Sequence, residues 1–244
     1  MTKEKAFCEI HGEYTYVKLP FAFSAHCPKC LEIETMEKEK EEKLEKERRE
    51  AIPLSNVEMD KLGIMPKHYH ATFENFIVGT KYQQNALDAV KDLHNGKNKQ
   101  LVLCGGNGCG KTHLLSALLK KEKKGMIIKM TEASLWIRNP KPLNELEVRN
   151  LLKTSEVLVI DEIGRSNNSE FEQNWLSDVI DYRWGHDLKT VLIGNYPLKE
   201  MVSDSYHGQL MDDVFGLDIL SRLKDFKKVR ISGEDLRGKK WVKY

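Results

Sequence analysis

The run Gly105-Gly106-Asn107-Gly108-Cys109-Gly110-Lys111-Thr112 combines residue types that bind phosphate. Glycines let a backbone turn tightly enough to aim its N–H groups inward. The Lys111 ammonium can reach the β- and γ-phosphates of a nucleotide, and the Thr112 hydroxyl can ligate magnesium. The spacing fits G-x-x-x-x-G-K-[ST]. Further along, Val157-Leu158-Val159-Ile160-Asp161-Glu162 ends an apolar run in two carboxylates. Asp161 would hold magnesium, directly or through water, and Glu162 would polarise the attacking water as general base. Thr190-Val191-Leu192-Ile193-Gly194-Asn195 is a second apolar run that ends in an amide. That amide would help orient the water if its strand lay between the two motif strands. Together these residues predict binding and hydrolysis of a nucleoside triphosphate, with ATP and Mg2+ as the expected pair.

A different chemistry is written at the other end. Cys8-x-x-His11 and Cys27-x-x-Cys30 are two ligand pairs separated by fifteen residues. Three thiolates and an imidazole make a closed tetrahedral set suited to structural Zn2+. His26, beside Cys27, is a rival ligand. A region this small cannot fold on its own apolar core, so the metal would supply its stability. The alternative is a tail with incidental cysteines. The total of five cysteines is odd, which argues against a disulfide framework.

The elements that must position these groups can be read from apolar runs and breakers. Lys99–Cys104 reads as a buried strand that delivers the chain into the glycine loop, and a helix from about Lys111 to Lys121 leaves it. Further strands are expected at Met126–Met130, Glu156–Ile160, Lys189–Ile193 and Lys228–Ile231. A helical stretch broken by Pro140 and Pro142 and another at about Glu170–Trp184 fall between them. Continuous apolar strands alternating with helices predict an α/β fold, a parallel sheet covered on both faces. Three regions differ in composition: a zinc-binding module at 1–31, a charged helical linker at 32–52 and the ATPase domain at 53–244. The linker pairs Glu34 with Lys38 and Glu39 with Lys43, four apart, as exposed helices do. Its few apolar residues, Ile33, Met36 and Leu44, make no heptad seam.

Bulk composition bounds the rest. The chain has 244 residues, enough for one medium domain and a small appendage. A net charge of +2 gives no bulk field for nucleic acid, although a local basic patch stays open. No apolar run approaches the ~20 residues that span a bilayer, and the first residues lack the apolar core of a signal peptide. The expected address is therefore cytoplasmic, with no membrane contact.

The glycine loop, the Asp-Glu after a buried strand and the strand ending in Asn follow the order of AAA+ ATPases. More closely, the chain resembles the helicase loaders of the DnaC type and their relatives, which include phage loaders and the IstB transposition ATPases. Ala71 to Phe76 (ATFENF), Val157 to Gly164 (VLVIDEIG), Leu220-Ser221-Arg222-Leu223 and Asp235-Leu236-Arg237 ahead of Lys239-Lys240-Trp241 carry the likeness. The resemblance covers about residue 70 to the end and implies a P-loop AAA+ αβα sandwich. It implies that Arg222 is an arginine finger reaching the γ-phosphate on a neighbouring subunit, so that the active form is a homo-oligomer. It implies that Arg237 contacts ATP from its own subunit. Phe73 and Phe76 would lie near the adenine, or pair in a core. In these loaders the segment after the second strand touches single-stranded DNA. Here Trp136 would stack on a base and Arg138 and Lys141 would meet phosphates, with a buried Trp on an amphipathic helix as the alternative.

The resemblance implies an ATP-dependent loader that delivers a DnaB-like replicative hexameric helicase to single-stranded DNA. The N-terminal module departs from the best-known loaders, whose N-terminal region is helical and grips the helicase. The competing readings are an IstB-type transposition helper, a small-molecule P-loop kinase and a zinc-mediated DNA-binding adaptor.

Overall fold

A computed structural model of the chain describes residues 2–18, 26–164, 169–203, 205–213, 215 and 217–236. The chain divides into two compact units, Met1–Pro53 and Leu54–Tyr244.

In the first unit, β1 (Thr2–Cys8) and β2 (Gly12–Lys18) form an antiparallel hairpin in which Cys8 pairs with Gly12 at the closed end. Gly12 sits at φ +78°, a backbone state that suits glycine in so short a turn. Side chains alternate: Glu4, Ala6 and Cys8 share the more covered face while Lys5 and Phe7 point outward. Tyr16 donates to Glu4 across the pair at 2.8 Å. Helix α1 (Pro28–Ala51) begins with Cys27 as its N-cap and proline in its first position. It therefore starts within the ligand-bearing segment, ahead of the charged run. Residues 31–45 are exposed all round, so helix propensity and charge pairs four apart support it rather than packing.

The second unit opens with α2 (Asn56–Lys61), fixed by a capping box between Ser55 and Glu58. Then come α3 (Lys81–His94), β3 (Gln100–Cys104), α4 (Lys111–Glu122), β4 (Met126–Lys129), α5 (Met130–Arg138), α6 (Glu145–Thr154), β5 (Val157–Ile163), α7 (Glu170–Gly185), β6 (Lys189–Gly194), α8 (Leu217–Arg222) and β7 (Lys227–Arg230). The five strands β3–β7 make one parallel sheet in the order β4-β5-β6-β3-β7. Both faces are covered, and β3, β5 and β6 feed both cores by alternation. Leu101, Leu103, Val159 and Ile193 join α3 and α4 on one side. Val102, Cys104, Ile160 and Leu192 join α5, α6, α7 and α8 on the other. This is why the strands read as continuous apolar runs.

Arg183 ties the second layer to the sheet. It is buried on α7 and donates to the carbonyls of Leu152, Lys153 and Ser155 at the end of α6, to Lys189 O and to Thr190 Oγ1. The guanidinium thus satisfies carbonyls that a helix end leaves unpaired.

Candidate functional site

The sheet order sets the site. Strand β6 lies between β3 and β5, so the ends of the three motif strands are adjacent. In open parallel sheets ligands bind beyond the carboxyl ends of the strands. Gly105 follows β3 and donates its N–H to Gly194 O at 3.2 Å, tying the start of the glycine loop to the end of β6. A Cβ on Gly105 would stand 1.9 Å from the Ile231 carbonyl oxygen, and one on Gly110, at φ +102°, would stand 2.4 Å from the Phe76 ring. No side chain fits at either position, which is the physical reason for glycine there.

Lys111 Nζ donates to Gly105 O at 2.6 Å, Gly106 O at 2.7 Å and Asn195 Oδ1 at 3.1 Å. Burial lowers its pKa, because the site costs the charged form its hydration. Thr112 follows it in the first turn of α4. Asn107, Gly108 and Cys109 complete the loop. Cys109 is buried, with its thiol on Gly106 O at 2.9 Å. The strap after β7 closes the loop's other side: Ile231 N–H bonds Cys104 O at 2.8 Å and Leu236 N–H bonds Gly108 O at 2.9 Å.

Asp161 and Glu162 both drop out of the pairing with β6, while Asp161 keeps its register with Lys129 of β4. Strand β5 pairs regularly with β6 through Ile160, then shifts register before Ile163. Glu162 adopts φ +59°, a left-handed state uncommon for a residue with a Cβ. Such a bulge re-aims side chains, and here Asp161 feels the charges of Glu162, Lys111 and Lys129. Burial raises the Asp161 pKa, opposed by the hydrogen bond it accepts from the Glu162 N–H at 2.6 Å. Lys129 Nζ, at the end of β4, lies 3.5 Å from Glu162 Oε2. Sequence reasoning missed Lys129, since only the β4–β5 register brings it here.

The other expected residues fall elsewhere. Arg222 ends α8, donates to Asp181 on α7 at 2.5 Å and lies 5.2 Å over the Trp184 ring. Trp136 is half-buried against the second core, while Arg138 lies 4.5 Å over Phe171 and Lys141 is exposed. Phe73 and Phe76 are both buried in the first core, the alternative expected for them. Arg237 lies outside the described residues, and Asp235 and Leu236 are the last of that stretch within them.

In the first unit, the Sγ atoms of Cys8, Cys27 and Cys30 and a ring nitrogen of His11 all lie within 4.8 Å of one another. His11 Nδ1 is 3.8, 3.6 and 3.3 Å from the three sulfurs in that order, and Cys8 Sγ is 3.5 Å from Cys30 Sγ. A zinc tetrahedron with its usual bond lengths has S···S edges of about 3.8 Å and S···N edges of about 3.6 Å. The donor set therefore fits Zn2+ in number, chemistry and spacing. His26 stands outside this group. Backbone N–H groups of His11 and Ile10 hold the Cys8 thiol down to about 6, while its neighbours, Cys8 first, push Cys30 up to about 11. Three thiolates at this separation repel one another unless a cation lies between them.

Comparison with known proteins accords with this geometry. The family model of the IstB-like ATP binding proteins matches residues 34–243. The chain belongs to that family. It is 29% identical over 149 residues to the replicative helicase loader DnaC of Escherichia coli K12, covering 57% of this chain and 61% of that protein. It is 30% identical over 169 residues to the replicative helicase loader DnaI of Bacillus subtilis 168, covering 63% of this chain and 53% of that protein. The chain thus spans less than two thirds of the length of these relatives. A crystal structure of the DnaC helicase loader superposes with a TM-score of 0.58 at 20% identity, over 69% of this chain and 100% of that one. The second unit therefore has the α/β fold of AAA+ proteins. Among the described residues no helix is long and apolar enough to cross a membrane.

Proposed function

We propose that this IstB-like protein is an ATP-dependent loader that delivers a DnaB-like replicative helicase onto single-stranded DNA. One observation carries the enzymatic half: Lys111, Asp161, Glu162 and Asn195 converge at the ends of three adjacent strands, with Lys111 and Asn195 already hydrogen-bonded. The loader half rests on likeness to the DnaC and DnaI helicase loaders.

In this reading the loop amides and Lys111 bind the β- and γ-phosphates. Thr112 and Asp161 hold Mg2+, which supplies charge neutralisation on the phosphates when bound. Glu162 takes a proton from the attacking water and Asn195 orients it. Arg222 acts on the site of a neighbouring subunit after leaving Asp181, and Arg237 serves its own. A guanidinium there is worth on the order of 10³-fold in rate. ATP then governs assembly and release of a homo-oligomer rather than processive work. Trp136, Arg138 and Lys141 form the DNA-facing segment.

The zinc module and α1 form the grip on the helicase. Phe7 and Ile10, beside and between the ligands, are 72% and 79% exposed, as expected of residues that a partner covers. The test is affinity capture of the tagged chain from its host. A hexameric helicase among the captured proteins supports the proposal; a transposase in its place would transfer the protein to the transposition helpers. Deleting residues 1–50 should abolish helicase capture and spare ATP binding. Helicase capture that survives the deletion removes the module from the proposal.

A further inference from the structure

A cavity of about 420 Å³ adjoins the glycine loop. It is bordered by Gly105 and Gly106, by Asn195 and Tyr206, and by Arg230 and Ser232. Arg230 is the one charged residue in its described wall. The cavity touches the loop where Lys111 and Asn195 meet, so it opens on the end of the site that takes the terminal phosphate.

Arg230 is built into this position. It ends β7 in register with Cys104, the residue that leads into the loop. The other cations of β7 are committed, Lys227 to Asp92 at 3.0 Å and Lys228 to Glu200 at 3.1 Å. Among the described residues Arg230 has no carboxylate partner. Its guanidinium lies 6.0 Å over the ring of Tyr82, itself half-exposed. That is the outer limit of a cation–π contact. The buried Cys104 thiol feels the charge of both Arg230 and Lys111.

We propose that Arg230 is a further cation of the nucleotide site, supplied by the same chain in addition to Lys111 and Arg237, that recognises the terminal phosphate of a nucleoside triphosphate across this cavity. The inference rests on reading the glycine loop as an ATP site. A guanidinium presents paired donors that match phosphate oxygens, a stronger partner than the Tyr82 ring. A diphosphate offers nothing at that place. Arg230 therefore distinguishes ATP from ADP, a task separate from that of Arg222, which is engaged with Asp181.

The experiment titrates full-length protein carrying Glu162→Gln, which slows hydrolysis, with fluorescent ATP and ADP in magnesium. Adding Arg230→Ala should weaken ATP ~10-fold and leave ADP within about twofold, as loss of one charge-assisted contact predicts. Arg230→Lys should recover part of the ATP affinity. Equal weakening of both nucleotides, or of neither, overturns the proposal. Lys111→Ala, run in parallel, tests the underlying reading: if it loses both nucleotides while Arg230→Ala discriminates between none, only Arg230 is misassigned. If Lys111→Ala binds like its parent, the loop is not the ATP site and the role of Arg230 falls with it.

Discussion

Lys111 Nζ donates a hydrogen bond to Asn195 Oδ1 at 3.1 Å, joining the helix that follows β3 to the end of β6. The same ammonium bonds two loop carbonyls, so it is held by the protein in the place a phosphate would take over. The two residues should then fail differently. Lys111→Ala should weaken nucleotide binding by about 100-fold or more, since a buried charge that meets phosphate is lost. Asn195→Ala should leave binding within about threefold and cut turnover by ~10²-fold, the scale of losing one preorganised polar contact. Binding titrations beside steady-state turnover separate the two; equal effects on binding would refute the division of labour.

Asp161 gives a prediction about stability. Burial raises its pKa, so ionised Asp161 is a cost to the fold. That cost is fully present above the folded pKa and is relieved as acid protonates the group. Asp161→Asn should therefore raise the melting temperature of the nucleotide-free protein at neutral pH, by an amount equivalent to ~1 kcal/mol. The advantage should shrink as pH falls through the raised pKa toward the ordinary aspartate range. The same variant should lose magnesium-dependent turnover. Thermal melts from pH 4 to 8 check the sign, and a variant less stable than wild type at neutral pH contradicts the argument.

The pair of Lys129 and Glu162 bears on rate. At 3.5 Å the ammonium engages the carboxylate and draws it toward β4, which leaves it less available as a base for a water at the phosphate. Lys129 also precedes α5 directly, the helix with the DNA-facing candidates Trp136 and Arg138. Lys129→Met should raise basal turnover several-fold and reduce any stimulation by single-stranded DNA. Turnover that falls along with nucleotide affinity would mean that Lys129 supports the site instead of restraining it.

Arg183 should matter to the fold alone. Its buried guanidinium serves carbonyls on α6 and β6, and burial lowers its pKa to about 10. Removing it leaves several buried acceptors unpaired, a loss of ~3–5 kcal/mol. Arg183→Met should lower the denaturation midpoint sharply, and Arg183→Lys should rescue little, because an ammonium cannot span the same carbonyls. A midpoint near that of wild type would show that water satisfies those carbonyls.

These residues also mark what could be read in advance. The glycine loop, the Asp-Glu pair and Asn195 were legible because each sits at the end of an apolar strand, and four of the five parallel strands followed from apolar runs, β7 having only Val229 among its cations. The placement of Asn195 depended on β6 lying between β3 and β5, a condition the sequence left open and the topology meets. The β1–β2 hairpin was hidden because its residues alternate Lys, Glu, Phe and Tyr with little apolar content. Helix α3 lacked a motif to announce it. Lys129 and Arg230 were invisible, since their neighbours come from strand register, and a lone Arg within a helix such as Arg183 looks like any surface cation until its carbonyl partners are placed.

The cysteine cluster supports the last prediction, which concerns the two units separately. In the first unit Cys27 is the buried ligand, and 31–45 lack any packed face, so little but a metal can hold the module. In the second unit two apolar cores lie on the faces of a five-stranded sheet and include none of the four ligands. Purified protein should therefore carry one zinc per chain by elemental analysis. Cys27→Ser or a strong chelator should remove it and unfold β1 and β2, giving rapid proteolysis before residue 54. The melting transition of residues 54–244 and their ATP binding should stay within experimental error of wild type. A chelator that abolishes ATP binding in the absence of magnesium competition would show instead that the metal module and the nucleotide site depend on each other.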